Sequence, residues 1–171
     1  RTLNTFSGEV TVEPGCLLGD LDRYLVCNGR QLRLLPSTWR SASIGGFIAG
    51  GSGGIGSVRW GFLRDPGHLL GLEVVTVEDK PQKLQLDASA AEPLNHAYGT
   101  NGIITAITLA TSHAVDWQEV VIDCGDWSEA VELLRKCSCS AVELHLCSLL
   151  EAKIIESIPN WSGPPMAKHR L

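Results

Sequence analysis

The chain has 171 residues, 44% hydrophobic and 19% charged, enough to bury the core of one domain, or of one and part of another. Fourteen Lys/Arg against 19 Asp/Glu give a net charge of −5, which argues against a nucleic-acid-binding surface. The longest low-polarity run, Ile44 to Ile55, is broken by six glycines and falls short of the ~20 residues that a spanning helix needs.

In chain order, Gly8 to Pro14 alternates, with Val10 and Val12 on one face and Glu9, Thr11 and Glu13 on the other, predicting a strand stopped by Pro14-Gly15. Leu17, Leu18, Leu21, Tyr24 and Leu25 recur at helical spacing, and Asn28-Gly29 suits the left-handed helix end. Gln31 to Leu35 predicts a short strand, and a glycine-rich stretch runs from Ser37 to Gly61. Leu69 to Glu78, Lys83 to Leu86 and Ile103 to Thr111 read as strands, the first two joined by a turn at Glu78-Asp79-Lys80-Pro81. Composition shifts around Ser112–Asp116. Trp117 to Asp123 then reads as a strand, and Asp126-Trp127-Ser128-Glu129 as a capping box opening a helix through Lys136. Ala141 to Leu146 predicts another strand, Ser148-Leu149-Leu150-Glu151 caps a helix ending near Ser157, and Pro159 to Pro165 reads as turn material. The C-terminal part is thus expected to run β-α-β-α, the opening of a second α+β unit.

Eight glycines fall between Gly45 and Gly61. Paired glycines let a ligand approach the backbone, and a small helix begun by Ser43 is expected to point free N–H groups at a phosphate. The competing reading is a glycine-rich turn or a tight packing face. Gly51-x-Gly53-x-x-Gly56 also satisfies the dinucleotide fingerprint, but that pattern needs a strand before it and a helix after it. Gly45 to Gly50 makes a poor strand, and Ser57-Val58-Arg59-Trp60-Gly61 is expected not to be helical, so a Rossmann NAD site is set aside. There is no phosphate-loop Lys.

The string Ser43-Ile44-Gly45-Gly46-Phe47-Ile48-Ala49, then Gly53-Gly54 and Arg59-Trp60-Gly61, resembles a phosphate-gripping segment of the FAD-binding fold shared by vanillyl-alcohol oxidase and p-cresol methylhydroxylase. The glycolate oxidase flavin subunit and D-lactate dehydrogenases share that fold. Val10-Thr11-Val12-Glu13-Pro14-Gly15, Leu72 to Val77 and Tyr98-Gly99-Thr100-Asn101-Gly102-Ile103-Ile104-Thr105 are similar to further family segments in the same order. The resemblance implies an α+β fold: residues 1–113 as the second, larger subdomain of a p-cresol-methylhydroxylase-type FAD-binding domain, and 114–171 as the start of an α+β cap domain. It implies FAD as cofactor. Pro36, Ser37, Ala42, Ser43, Ile44, Gly45, Gly46 and Ala49 would line the pyrophosphate and the approach to the isoalloxazine. Gly53, Ser57 and Gly61 would shape the loop returning past the flavin, and Gly102, Ile103 and Ile104 would meet the adenosine end. The chain departs from the family pattern in four places. Gly51 stands where many relatives carry Asn, Trp60 replaces Tyr, and Tyr98 and Asn101 stand where the family has an acid and a leucine.

The function so implied is an FAD-dependent oxidation of a 2-hydroxy acid or related alcohol, with a small-molecule substrate and the electron acceptor and catalytic base unassigned. The alternatives are an NADPH-dependent reductase of the same fold and a non-catalytic flavin-binding subunit. The chain opens on Arg1 and its single Met is Met166, so a fragment of a larger flavoenzyme is expected, lacking the first FAD subdomain. Cys16, Cys27, Cys124, Cys137, Cys139 and Cys147 lack zinc-site spacing, so no metal site is expected, only reduced thiols in an intracellular, cytoplasmic protein, an organellar address having been open to loss ahead of Arg1. His68, His96, His113, His145 and His169 show no metal spacing; His96 beside the Gly99–Gly102 loop is a candidate flavin-side contact. Arg40, Arg59 and Arg64 flank the glycine stretch and are candidate partners of a phosphate or carboxylate, while Trp117, Trp127 and Trp161 are expected to pack.

Overall fold

The computed structural model describes residues 2–159 and 169–171, which divide between two compact units, Arg1–Val115 and Asp116–Leu171. The first unit holds, in order, β1 (Thr2–Asn4), β2 (Glu9–Val12), α1 (Leu18–Val26), β3 (Arg30–Leu32), α2 (Ile44–Gly50), α3 (Ser57–Trp60), β4 (Leu69–Val75), β5 (Lys83–Asp87), α4 (Ala88–Ala91) and β6 (Ile103–His113). Its sheet is antiparallel throughout, in the order β1-β2-β6-β4-β5, with β3 pairing the C-terminal end of β6. The long β6 is the hub. Val10 lies opposite Leu109, Val12 opposite Ile107, and Leu72 opposite the same Ile107 on the other side.

The two sequence periods explain the layering. Alternation along β2 turns Val10 and Val12 inward, and the same phase buries Leu72 and Val74 of β4 and Ile107 and Leu109 of β6. The helical spacing of Leu18, Leu21 and Leu25 in α1, and Ile44, Phe47 and Ile48 in α2, supplies the facing layer of the same buried cluster. The outward phase of the sheet is polar. Thr11 and Thr108 are hydrogen-bonded across β2 and β6 at 2.9 Å. Glu73 of β4 joins Lys83 Nζ (2.9 Å), Gln85 Nε2 (2.6 Å) and Thr105 Oγ1 (2.7 Å) from the two neighbouring strands.

The second unit holds β7 (Asp123–Cys124), α5 (Trp127–Ser138), α6 (Ala152–Glu156) and β8 (His169–Arg170), with β7 and β8 antiparallel. The capping box is present in modified form. Asp126 Oδ1 accepts from Glu129 N at 2.9 Å, but the Glu129 carboxylate reaches back to Gly125 N (3.0 Å).

The α+β class is borne out, and five local expectations are corrected. Ser57–Trp60 forms a single helical turn because Gly56, at φ 94°, starts it and Gly61 ends it. Residues 117–122 are irregular; the ladder there begins only where Ile122 exchanges hydrogen bonds with Leu171 (3.0 and 3.1 Å). Residues 141–146 form no strand, since a strand needs a neighbour for its N–H and C=O groups and Val142 and Leu146 are exposed. Ser148 does not cap α6: the N-cap is Glu151, without a side-chain bond, and Ala152 N donates to His169 Nδ1 instead (3.2 Å). The order is therefore β-α-α-β, not β-α-β-α. Of the expected turn at 159–165, and of Trp161, residues 160–168 lie outside the described residues. Among the described residues no helix is long and apolar enough to cross a membrane, and all six cysteines are free thiols.

Candidate functional site

The glycine stretch folds as α2, a turn, and α3. Ser43 is the N-cap of α2, in extended conformation with its Oγ accepting from Gly46 N at 3.2 Å, as its residue type favours. The other early N–H groups of the helix are also taken. Ile44 N donates to Cys16 O (2.9 Å), Gly45 N to Pro14 O (2.8 Å), and Phe47 N to Ser43 O (3.0 Å). The expectation that this helix start points free N–H groups at a phosphate is therefore corrected: the Pro14–Cys16 turn satisfies them.

Each glycine can be sorted by what an added Cβ would meet. At Gly45 it would stand 2.6 Å from Pro14 Cβ and 2.9 Å from Pro14 O, so this glycine admits the neighbouring turn. At Gly51 it would strike His96 Cβ, at Gly54 Leu35 O, at Gly56 Arg33 O, and at Gly61 Asp65 Oδ2. Those glycines are required by the protein's own packing. Gly50 is different: among the described residues nothing lies within 4 Å of its Cβ position. Gly46 meets only its own cap, Ser43 Oγ, at 3.2 Å, and Gly53 has ordinary contacts at 3.4 Å with Phe62 and Ser57 Oγ. Gly46 and Gly50 are four residues apart and share one helix face, opposite the buried Ile44, Phe47 and Ile48. α2 thus has an apolar inner face and an outer face stripped of side chains. Just past it, the N–H groups of Ser52 and Gly53 find no partner among the described residues, whereas Gly54 N is held by Ser57 Oγ at 2.9 Å.

A second segment closes on the far end of the helix. His96 N donates to Ile48 O and Tyr98 N to Ala49 O, both at 3.0 Å, satisfying two of the last carbonyls of α2. His96 and Tyr98 both sit at positive φ (64° and 52°), and their side chains meet at 3.1 Å between Nε2 and the phenol oxygen. The Tyr98–Gly102 loop, singled out separately in the sequence, is thereby tied to the end of the glycine helix. Tyr98 itself is 73% exposed.

The structure distributes the expected site residues unevenly. Ser37, Gly46 and Gly53 are exposed, and Ala42, Ser43, Ala49 and Ser57 are half-buried around the same stretch. Pro36 is buried, with its Cα 3.2 Å from the Cβ position of Gly54. The Ile44 side chain is fully buried in the core and its N–H is taken by Cys16 O. At Gly45 and Gly61, Pro14 and Asp65 occupy the space a Cβ would take. Gly102 is buried with Val75 O 3.3 Å from its Cβ position, Ile103 is 60% exposed, and Ile104 is half-buried opposite Val74. Gly50 and Ser52 were absent from the expected set. The i, i+4 relation of Gly50 to Gly46 was the signal that could have found Gly50. Arg40 and Arg59 stack on Trp39 and Trp60, at 4.6 and 5.0 Å from the ring centroids. Among the described residues no group of His, Cys, Asp and Glu could hold a metal ion.

These elements make an antiparallel sheet covered by helices, an α+β fold. The architecture is similar to a solved alkyldihydroxyacetonephosphate synthase, with a TM-score of 0.58 at 21% identity, covering 70% of this chain and 21% of that one. Residues 1–84, which include the glycine stretch, match the family model described as FAD binding domain. Two curated relatives are similar over more of its length. "Probable D-2-hydroxyglutarate dehydrogenase, mitochondrial" from Oryza sativa subsp. indica is 30% identical over 93% of this chain, and the mitochondrial D-2-hydroxyglutarate dehydrogenase of Bos taurus is 31% identical over 77%. The chain spans only 31% and 25% of the length of those two relatives.

Proposed function

We propose that this chain binds FAD along the outer face of α2 and serves the oxidation of a 2-hydroxy acid. The observation that carries the reading is the pair Gly46 and Gly50. A glycine inside a helix costs about 0.5–1 kcal/mol relative to alanine, and no atom of the described residues requires one at Gly50. A flat ligand lying against bare backbone supplies the missing reason, and the unpartnered N–H groups of Ser52 and Gly53 suit its phosphates. Ser37, Ala42, Ser43, Ala49 and Ser57 border that surface. Pro36 backs it from within, and Gly102, Ile103 and Ile104 follow the loop that closes on the end of α2. When bound, FAD supplies the hydride acceptor. The chain's own residues then hold and orient it: Ser43 fixes the helix start, and the His96 and Tyr98 backbone fixes the helix end.

The substrate class rests on the relatives, which are named for D-2-hydroxyglutarate. Their names also carry a mitochondrial location, which favours the organellar address over the cytoplasmic one here. We read residues 114–171 as the beginning of the substrate-capping domain. The test is anaerobic addition of D-2-hydroxyglutarate or D-lactate to the flavin-loaded, full-length protein. Loss of the oxidised-flavin absorbance supports the reading, whereas bleaching by NADPH alone would replace it with a reductase.

A further inference from the structure

We infer that Arg33 and His68 share one buried water molecule. His68 is 5% exposed, and its Nε2 lies 2.9 Å from Trp60 O. A carbonyl only accepts, so Nε2 carries the proton and Nδ1 of the neutral ring is a bare acceptor. That Nδ1 is buried and has no hydrogen-bond partner among the described residues. Arg33 presents the opposite need. Its Nη1 donates to Gly67 O at 3.0 Å, but its Nε–H, which can only donate, is buried and equally without a partner.

Both side chains line the same small cavity between the sheet and α2, together with Leu32, Leu34, Ile44 and Phe47. Its volume available to water centres is ≈ 10 Å³, about the space for one water. A water there accepts from Arg33 Nε and donates to His68 Nδ1, which answers both groups at once. Left unanswered, each would cost free energy that native structures rarely tolerate. A cation is disfavoured by the Arg33 guanidinium. An anion would require His68 to be charged beside Arg33, whose own environment already includes the Arg30 cation. The consequence is positional. His68 holds the Trp60 carbonyl, and the Arg33 ring contact at 4.6 Å holds the Trp60 indole, so one water couples both supports of the turn that closes the glycine stretch. The water is expected with or without flavin.

A crystal structure of the full-length protein, at a resolution that defines ordered waters, tests this directly. It should show one water within hydrogen-bonding distance of Arg33 Nε and His68 Nδ1. Nitrogen-15 NMR of the imidazole should show the neutral tautomer protonated at Nε2. His68→Phe should lower Tm, since it removes both the Trp60 carbonyl contact and the acceptor for the water. A cavity without density where other buried waters are defined, a bromide peak there after halide soaking, or an imidazole protonated at Nδ1 would each overturn the assignment. If His68→Phe does not fold, the density at the cavity in the unaltered protein still decides.

Discussion

Three glycines within six residues of one another do different jobs. Gly45→Ala would place a methyl against Pro14 and separate the turn from the helix start, at a cost of about 1–3 kcal/mol, read as a lower urea midpoint. Gly50→Ala meets nothing and adds helix propensity, so Tm should rise by a few degrees at most, while FAD affinity should fall because the new methyl stands on the ligand face. Ser43→Ala removes the cap of Gly46 N and should cost about 1 kcal/mol of stability. The sequence disclosed the glycine stretch, its cap and its resemblance, but not this division of labour. Glycine spacing alone does not reveal that Pro14 and His96 press against Gly45 and Gly51 from segments 31 and 45 residues away.

Strands and helices were legible wherever a residue pattern had a partner to satisfy it. Val10 and Val12, the leucines of α1, and the runs forming β4, β5 and β6 all read correctly because each apolar face meets another across one core. The runs at 117–122 and 141–146 carry β-prone residues, but apart from Ile122 they pair with no strand among the described residues, and propensity without pairing left them irregular. On the polar face of the sheet, Lys83 and then Thr105 hydrogen-bond the Glu73 carboxylate and hold it below the usual carboxylate range. A carboxyl with a lowered folded-state pKa adds stability above its unfolded pKa and loses it as pH falls through the folded value. Stability should therefore drop on acidification through that window. Glu73→Gln should flatten this part of the profile, and Lys83→Met should move the Glu73 titration seen by NMR upward. In the second unit, Asp126→Ala should destabilise α5 by about 1 kcal/mol, measured by hydrogen exchange along the helix.

For the whole molecule, two compact units carry different shares of the account. The first holds the family match and the glycine helix; the second holds the short β-α-α-β segment that we propose as the start of a cap. Fold analogy leaves function to the site, so the site is where the account is most exposed. The deciding measurement is FAD titration of the full-length protein, followed by flavin fluorescence and absorbance, for the unaltered chain and for Gly50→Ala side by side. The account predicts that the unaltered protein takes up FAD and releases it on denaturation, and that Gly50→Ala binds it at least tenfold more weakly with no loss of Tm. Failure of the unaltered protein to take up FAD, or equal affinity in the two, would contradict it.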